Sequence, residues 1–208
     1  MRRTKEEAEQ TRRAILAAAE RLFAQKGVNK VSLEQIADSL GLTRGAVRWH
    51  FRDKRGLLFA LLDSEGLPLQ ELAGHLEIDP KLDPFDELVD ITTRLLRDLQ
   101  SNPKRQRLMK QLVNFVDLEA PEQRRAFDRR IRTAIRTIFE LAAKRRILAP
   151  HWRPDNAALA FYAMISGLIS EWLRGRAHFD LHPDVVDTLD TFVGSLRARR
   201  RIGRTGRR

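Results

Sequence analysis

The chain of 208 residues is long enough for one or two domains with a sizeable core, and 42% hydrophobic with 32% charged residues is an ordinary globular composition. The absence of cysteine excludes disulfides, thiolate metal sites and cysteine nucleophiles. The longest uncharged run, residues 156–170, is too short to span a bilayer, and no apolar stretch like that of a secretory signal follows Arg2 and Arg3. We therefore expect a cytoplasmic protein without membrane association.

The net charge of +11 is concentrated at the two ends of the chain. Residues 1–56 contain 13 basic and 7 acidic residues, residues 57–193 contain 19 and 21, and residues 194–208 contain 7 basic residues and no acidic one. A basic end segment on a near-neutral body is typical of a protein that binds a polyanion, with nucleic acid the first candidate and an anionic membrane the second. A solvated basic surface is the alternative interpretation of the charge.

The spacing of apolar residues predicts an all-α protein. They recur three and four positions apart, and no useful length alternates with period two, so we expect nine helices. The first helix ends at Gly27, and its buried face contains Ile15, Ala19, Leu22 and Phe23. Later helices are expected to begin at X-Pro pairs, namely at Pro84, Pro103, Pro121, Pro154 and Pro183.

The segment on either side of Gly41 has the pattern of a helix-turn-helix. Ser32 and Thr43 each precede a short helix as an N-cap, and the turn between the helices is too short for antiparallel packing of two full helices. Ala37 is small where the helices would cross, and Gly41 permits the positive φ that the turn needs. Val47 is expected to face back into the core.

The second helix of this motif has an exposed polar face suited to DNA. Arg44 and Arg48 are four residues apart and could offer bidentate donors to guanine edges, with Thr43 and the small Gly45 beside them. Phosphate contacts are expected from the free N–H groups that start the next helix and from Trp49, His50 and Lys54, and Ser32 is a further candidate DNA contact. The alternative is a solvated face with Trp49 in the core and His50 as a packing histidine, and for Phe51 the core is the expected place.

Residues 12–62 resemble the DNA-binding domain of TetR-family transcriptional regulators. The matching phrases are Ile15-Leu16-Ala17-Ala18-Ala19-Glu20-Arg21-Leu22-Phe23, Ser32-Leu33-Glu34-Gln35-Ile36-Ala37, Gly41-Leu42-Thr43-Arg44-Gly45-Ala46-Val47 and Trp49-His50-Phe51-Arg52-Asp53-Lys54. The block 43–51 looks most like the AcrR-like branch, which represses multidrug efflux pumps. The resemblance implies a nine-helix fold in which a helical ligand-binding and dimerisation bundle follows the DNA-binding domain.

Two positions depart from that branch. Arg48 stands where the branch usually has a tyrosine that touches the DNA backbone, so the arginine either keeps a phosphate contact or makes a base contact. Arg55 and Gly56 stand where acidic residues are common, at the start of a fourth helix expected between Asp53 and about Gly74. A glycine there is expected to cost about 1 kcal/mol relative to alanine.

The helix from Asn156 to Leu173 is apolar nearly all round and must be covered on both sides. Its own domain covers one side, and the second subunit of a homodimer would cover the other, whereas a single large monomeric core is the alternative. The candidate interface residues lie on this helix and the last one: Ala160, Ala163, Gly167, Leu189, Phe192 and Leu196.

If the resemblance holds, the middle helices enclose an effector pocket. Its candidate lining residues are Leu95, Leu96, Leu99, Leu108, Met109, Leu112, Val113, Val116, Phe139, Phe161 and Ile165. Polar Gln111 and Asn114 lie among them and could orient a ligand. Such a pocket would bind small hydrophobic molecules, although core packing is the commoner role for any one of these residues.

The sequence lacks metal-ligand spacings, a phosphate loop and a nucleophile elbow, so we expect neither an enzyme nor a bound cofactor. We interpret the chain as a homodimeric regulator that binds double-stranded operator DNA, a repressor of an efflux-pump operon released by a small hydrophobic effector. Residues 1–54 would bind DNA, residues 55–196 would bind ligand and dimerise, and residues 197–208 would form a disordered basic tail. A ligand-independent architectural or division-linked DNA-binding protein on the same fold is the alternative.

Overall fold

The computed structural model describes residues 5–65, 67–119, 121–175 and 178–198. These residues form ten α-helices and no β-strand, which confirms the all-α prediction. The helices are α1 Lys5–Lys26, α2 Leu33–Asp38, α3 Arg44–Phe51, α4 Lys54–Glu65, α5 Leu67–Ile78, α6 Pro84–Ser101, α7 Pro103–Glu119, α8 Pro121–Lys144, α9 Pro154–Leu173 and α10 Val186–Leu196. A 3-10 turn, Val28–Lys30, follows α1, and an irregular turn, Leu181–Val185, precedes α10. None of the described helices is long and apolar enough to cross a membrane.

The fourth helix, expected to end near Gly74, is described as α4 and α5 on either side of residue 66, which lies outside the described residues, and α5 continues to Ile78. Four of the five X-Pro predictions mark the first residue of a helix. Pro183 instead lies in the turn before α10, where His182 has the extended φ of −133° and ψ of 123° that the residue before a proline prefers.

The described chain divides into two compact units that are not consecutive in sequence. Unit 1 comprises Met1–Leu67 and Asp98–Arg130, and unit 2 comprises Pro68–Arg97 and Ile131–Arg208. The predicted boundary at residue 54 therefore differs from the structural one, because α4, α7 and the ends of α6 and α8 belong with the N-terminal helices. Long-range packing of α7 on α1 produces this division, and a local sequence pattern contains no sign of it.

Among the described residues, the core of unit 1 is built from the apolar faces of α1 to α4, the segment between α1 and α2, and part of α7. The predicted stripe of α1 is buried, as are Ile36 and Ala37 of α2, Val47 of α3 and Leu57 of α4. Leu108 of α7 belongs to the same cluster and is 2% exposed. Burial of these side chains holds the short α2 and α3, which are too short to be stable as isolated helices.

Unit 2 has an aromatic core. Phe139 of α8 lies between Phe85 of α6 and Phe161 of α9, with ring-centroid distances of 5.8 and 6.1 Å. Offset and edge-on pairs at such distances stabilise a core beyond the burial of their area. Arg145 fixes the segment between α5 and α6 by donating to the main-chain carbonyls of Leu76, Asp79 and Leu82.

The end of α10 is attached to the start of α6. Arg197 donates to both carboxylate oxygens of Asp83, at 3.0 and 3.2 Å, and to Asp86. Its guanidinium carbon lies 5.1 Å from the centroid of the Phe85 ring, and its backbone forms an antiparallel bridge with Leu148. Arg197, predicted as the first residue of the basic tail, is thus part of the fold, and residues 199–208 of that tail lie outside the described residues.

This attachment lowers the pKa of Asp83. Partial burial of the carboxyl would raise its pKa, but hydrogen bonds from Arg197 and from the N–H groups of Asp86 and Phe85, together with the charge of Arg197, outweigh burial. The two N–H groups, at 3.2 and 2.8 Å, also make Asp83 the N-terminal cap of α6.

Candidate nucleic-acid interface

Both short helices of the predicted motif begin at a side-chain cap. Ser32 Oγ accepts from the Gln35 N–H at 3.1 Å, and Gln35 Oε1 accepts from the Ser32 N–H at 3.0 Å, so the predicted N-cap of α2 is part of a complete capping box. Thr43 Oγ1 accepts from the Ala46 N–H at 3.2 Å at the start of α3. Ser32 and Thr43 were also expected near DNA, and the structure shows both as exposed capping residues.

The turn between α2 and α3 has the expected geometry. Gly41 has a φ of 63°, which favours glycine, and the Leu42 N–H donates to the Ala37 carbonyl at 2.9 Å. Ala37 is 1% exposed and Val47 is fully buried, as predicted. Since Val47 points into the core of unit 1, the opposite side of α3 faces outward.

That outward side carries the predicted reading residues. Arg44, Gly45, Arg48 and Trp49 are all exposed. Arg44 and Arg48 lie one helical turn apart, so their guanidinium groups can reach the same strip of a major groove. Trp49 is 75% exposed, which places its ring outside the core, contrary to the alternative interpretation.

The end of α3 combines a buried ring with exposed polar groups. Phe51 is 5% exposed and packs in the core, as expected, whereas His50 is half-buried and contacts Trp49 edge-on at a centroid distance of 4.6 Å. Arg12 of α1, which the motif analysis did not single out, stacks over the Phe51 ring at 5.2 Å. The cation–π contact places a further cation beside the end of α3. The sequence contains the pair Arg12–Arg13 but does not indicate that it lies near α3.

The start of α4 differs from the expected phosphate cradle. Asp53 Oδ1 accepts from the Gly56 N–H at 2.8 Å, so one of the expected free donors already has a partner within the chain. The Lys54 side chain is half-buried at the first position of α4, and burial lowers the pKa of its ammonium group. The Gly56 N–H is therefore not free to contact a phosphate, and the expected phosphate contact from Lys54 stays a prediction.

Glycine at position 56 has a steric reason. A Cβ built there would lie closer to the Phe51 carbonyl oxygen than real Cβ atoms come. Arg52 causes this approach, because its φ of 59° and ψ of −55° turn the Phe51 carbonyl towards α4. The expected penalty relative to alanine was wrong in sign, since helix propensity is outweighed here by this contact.

The candidate effector residues are distributed over both units. Leu99, Leu108 and Met109 lie in unit 1, where Leu108 is a core residue and Met109 packs on that core. In unit 2, Leu96, Phe139 and Phe161 are buried, and Leu95 and Ile165 are half-buried. The side chains of Leu112, Val113, Val116 and Asn114 lie outside the described residues.

The candidate dimer residues separate into two groups. Ala163 and Gly167 of α9 are exposed, and Ala160 and Phe192 are half-buried. Leu189 and Leu196 of α10 are fully buried within the chain itself, which corrects their assignment to an interface. The periodicity of α10 was read correctly, but periodicity does not distinguish a face turned to the chain's own core from one turned to a partner.

Two family models match this chain. Residues 15–61 match the model described as bacterial regulatory proteins, tetR family. Residues 83–197 match the model of the C-terminal region of MAATS-type transcriptional repressors. The first match contains α2 and α3 with their capping residues.

Similar proteins span nearly the whole chain. The probable HTH-type transcriptional regulator ArpR of Pseudomonas putida is 35% identical over 202 residues, which cover 95% of this chain and 96% of ArpR. The solved structure of NalD, the secondary repressor of the MexAB-OprM multidrug efflux pump in Pseudomonas aeruginosa, is 35% identical, covers 92% of this chain and 98% of its own, and has a TM-score of 0.66. The triclosan complex of SmeT, repressor of the Stenotrophomonas maltophilia efflux pump SmeDEF, is 26% identical, covers 89% and 91%, and has a TM-score of 0.73.

Proposed function

The chain belongs to the TetR family of bacterial regulatory proteins, and we propose that it is a homodimeric repressor of an efflux-pump operon that a small hydrophobic molecule releases from DNA. As a family member it is a DNA-binding transcriptional regulator and not an enzyme. A cytoplasmic location is proposed as well, because such a regulator acts on the chromosome. The target operon, the effector and the dimer are the other proposed parts.

One observation supports the proposal that α3 contacts the bases of DNA. Arg44 and Arg48 project from a helix whose other side is locked into a core by Val47, and the caps at Ser32 and Thr43 fix where that helix begins. Donors held on a rigid helix recognise base edges with little loss of backbone freedom. Trp49, His50, Lys54 and Arg12 supply polar or charged groups around this face, suited to phosphate contacts that fix its register.

The similar proteins support the proposals that the target is an efflux-pump operon and that the effector is a small hydrophobic molecule. NalD and SmeT are named as repressors of multidrug efflux pumps, and SmeT has been solved with triclosan, a small, largely apolar phenol. Induction of a pump by a compound of the kind it exports requires a repressor that binds such compounds with higher affinity in its DNA-free arrangement. The apolar residues on α6, α8 and α9 provide the chemistry for this kind of ligand.

The surface of α9 supports a dimer. Leu159 is 54% exposed, and Ala163 and Gly167 follow it at intervals of four, so they form one exposed stripe. An exposed leucine beside two small residues allows the same helix of a second copy to approach closely. Two reading helices about 34–36 Å apart then contact two half-sites of a pseudo-palindromic operator.

The test is footprinting on the DNA upstream of the gene, with and without triclosan. We expect protection of two half-sites by the protein alone and loss of protection when triclosan is added. Binding to many unrelated sequences, together with no thermal stabilisation by triclosan or other hydrophobic compounds, would favour the alternative of a ligand-independent architectural protein.

A further inference from the structure

A side-chain hydrogen bond joins the end of α1 to the middle of α7 within unit 1. Gln111 Oε1 accepts from the backbone N–H of Val28 at 2.8 Å, across 83 residues of sequence. Val28 is 8% exposed and Gln111 is half-buried, so the bond lies at the edge of the core and only partly in contact with water. An amide that loses its acceptor in such a place is costly, which gives this bond more weight than one on the surface.

The local backbone explains why the acceptor comes from another helix. Gly27 leaves the helical path with a φ of 86° and ψ of 146°, while its own N–H still donates to the Phe23 carbonyl at 2.9 Å. Val28 then begins the 3-10 turn, where the first N–H groups have no partner inside the turn. Gln111 occupies the position that a capping side chain would otherwise fill.

This bond lies close to the start of the helix-turn-helix. Val31 follows Val28 in the same core, and Ser32, the cap of α2, is the next residue. Leu108, one helical turn before Gln111, is buried in that core as well. A displacement of α7 along its axis therefore either breaks both contacts or moves the segment that carries α2 and α3.

We propose that Gln111 is a positioning residue that transmits effector binding along α7 to the reading helix α3. The proposal rests on the proposed function, because residues 112–119 of the same helix include Leu112, Val113 and Val116, the expected effector contacts. Gln111 itself was expected to orient a ligand, but its oxygen is used by Val28. The effector would then act because the Gln111–Val28 hydrogen bond and the burial of Leu108 have different free energies in two arrangements of unit 1.

The experiment compares three variants of the full-length protein. Gln111→Met keeps the length of the side chain and removes the acceptor, whereas Gln111→Glu keeps an acceptor oxygen. The control is Gln106→Met, because Gln106 lies on the same helix and donates to the Gln100 carbonyl at 2.7 Å instead of reaching α1. Operator affinity is measured by fluorescence anisotropy without and with saturating triclosan, and triclosan affinity of the DNA-free protein by calorimetry.

The quantity compared is the factor by which triclosan weakens operator binding. We expect this factor to be about tenfold smaller in Gln111→Met than in the original protein, because the variant loses one hydrogen bond to a largely buried residue. If the original factor is below about ten, triclosan should leave operator binding by Gln111→Met unchanged. Gln111→Glu and Gln106→Met should keep that factor within about twofold, and all variants should bind triclosan in the DNA-free state within about threefold of the original protein. A purely structural role would lower the melting temperature and leave the factor unchanged.

An unchanged factor in Gln111→Met, or an equal loss in Gln106→Met or Gln111→Glu, would overturn the proposal. If triclosan does not bind the unaltered protein, triclosan is not the effector. The role of Gln111 is then tested by operator affinity alone. In that case Gln111→Met should weaken operator binding at least about threefold without changing its salt slope, and Gln111→Glu should restore it. Equal operator affinities would refute the positioning role.

Discussion

The proposed base contacts come from single residues of α3. Val47 and Phe51 anchor the helix in the core of unit 1, and Arg44 and Arg48 extend from the opposite side into solvent. A base contact carries sequence information, whereas a phosphate contact mainly adds affinity that depends on salt. Substitution of a residue that contacts a base should therefore change sequence preference, whereas substitution of one that contacts a phosphate should mainly change affinity and its salt dependence.

Arg44→Ala should weaken operator binding by about 1–3 kcal/mol and relax the preference at one base pair, because it removes a bidentate donor from a base edge. Titrations on the operator and on single-base variants would measure both effects. The matched control is Arg94→Ala, which removes an exposed arginine of α6 in unit 2 and should change neither. Equal operator affinities of Arg44→Ala and the original protein would show that Arg44 does not contact a base of the operator.

Gly56→Ala should destabilise the protein by about 1–3 kcal/mol, since the added Cβ would force the Phe51 carbonyl out of its place. Gly74→Ala is the matched control, because Gly74 is an exposed helical glycine with nothing within 4 Å of its would-be Cβ, and it should stabilise by about 0.5–1 kcal/mol. Chemical denaturation of both variants measures the difference. Equal stabilisation by both substitutions would show that Gly56 is an ordinary helix glycine.

Local features of the reading motif were predictable from sequence, and distant contacts were not. The capping box of Ser32 and Gln35 and the inward Val47 depend on residues a few positions apart, which a sequence pattern contains. The clash at Gly56 depends on the unusual backbone of Arg52, and the burial of Leu189 depends on which helices surround α10. Such tertiary features have no signature in the spacing of one helix.

At the scale of elements, the junction of α10 and α6 has a pH dependence. The pKa of Asp83 is lower in the folded protein than in the unfolded chain, so its contribution to stability is present above the ordinary carboxyl pKa of about 4 and is lost as the pH falls through the lowered value. Both partners are about one-third exposed, and solvent screening therefore limits the contribution of the pair.

Asp83→Asn should lower the free energy of unfolding by about 1 kcal/mol at neutral pH, because it removes the charged partner of Arg197 and the negative charge at the start of α6. The difference from the original protein should shrink as the pH falls below about 4, where the carboxyl of the unfolded chain becomes protonated, and it should be smallest once the pH has fallen through the lowered pKa of the folded protein. Urea unfolding at several pH values measures it. A difference that stays constant down to strongly acidic pH would show that Asp83 contributes through packing and not through its charge.

At the scale of the whole molecule, affinity for a pseudo-palindromic operator would depend on the proposed dimer. Ala163→Arg would place a long cation on the exposed stripe of α9 and should convert the proposed dimer to a monomer at micromolar concentration, as sedimentation velocity would show. Ala17→Arg, at an exposed alanine of α1, is the matched control and should remain dimeric. A monomeric original protein, or an undisturbed Ala163→Arg dimer, would move the interface away from α9.

The most direct test of the central claim is a competition titration of the operator against random duplex DNA at several salt concentrations. If α3 reads bases, the protein should prefer its operator by at least about a thousandfold at physiological salt, and Arg44→Ala should lose much of that preference while the salt slope stays the same. Equal affinity for operator and random duplex would contradict the account, because the exposed arginines of α3 would then contact only the phosphate backbone.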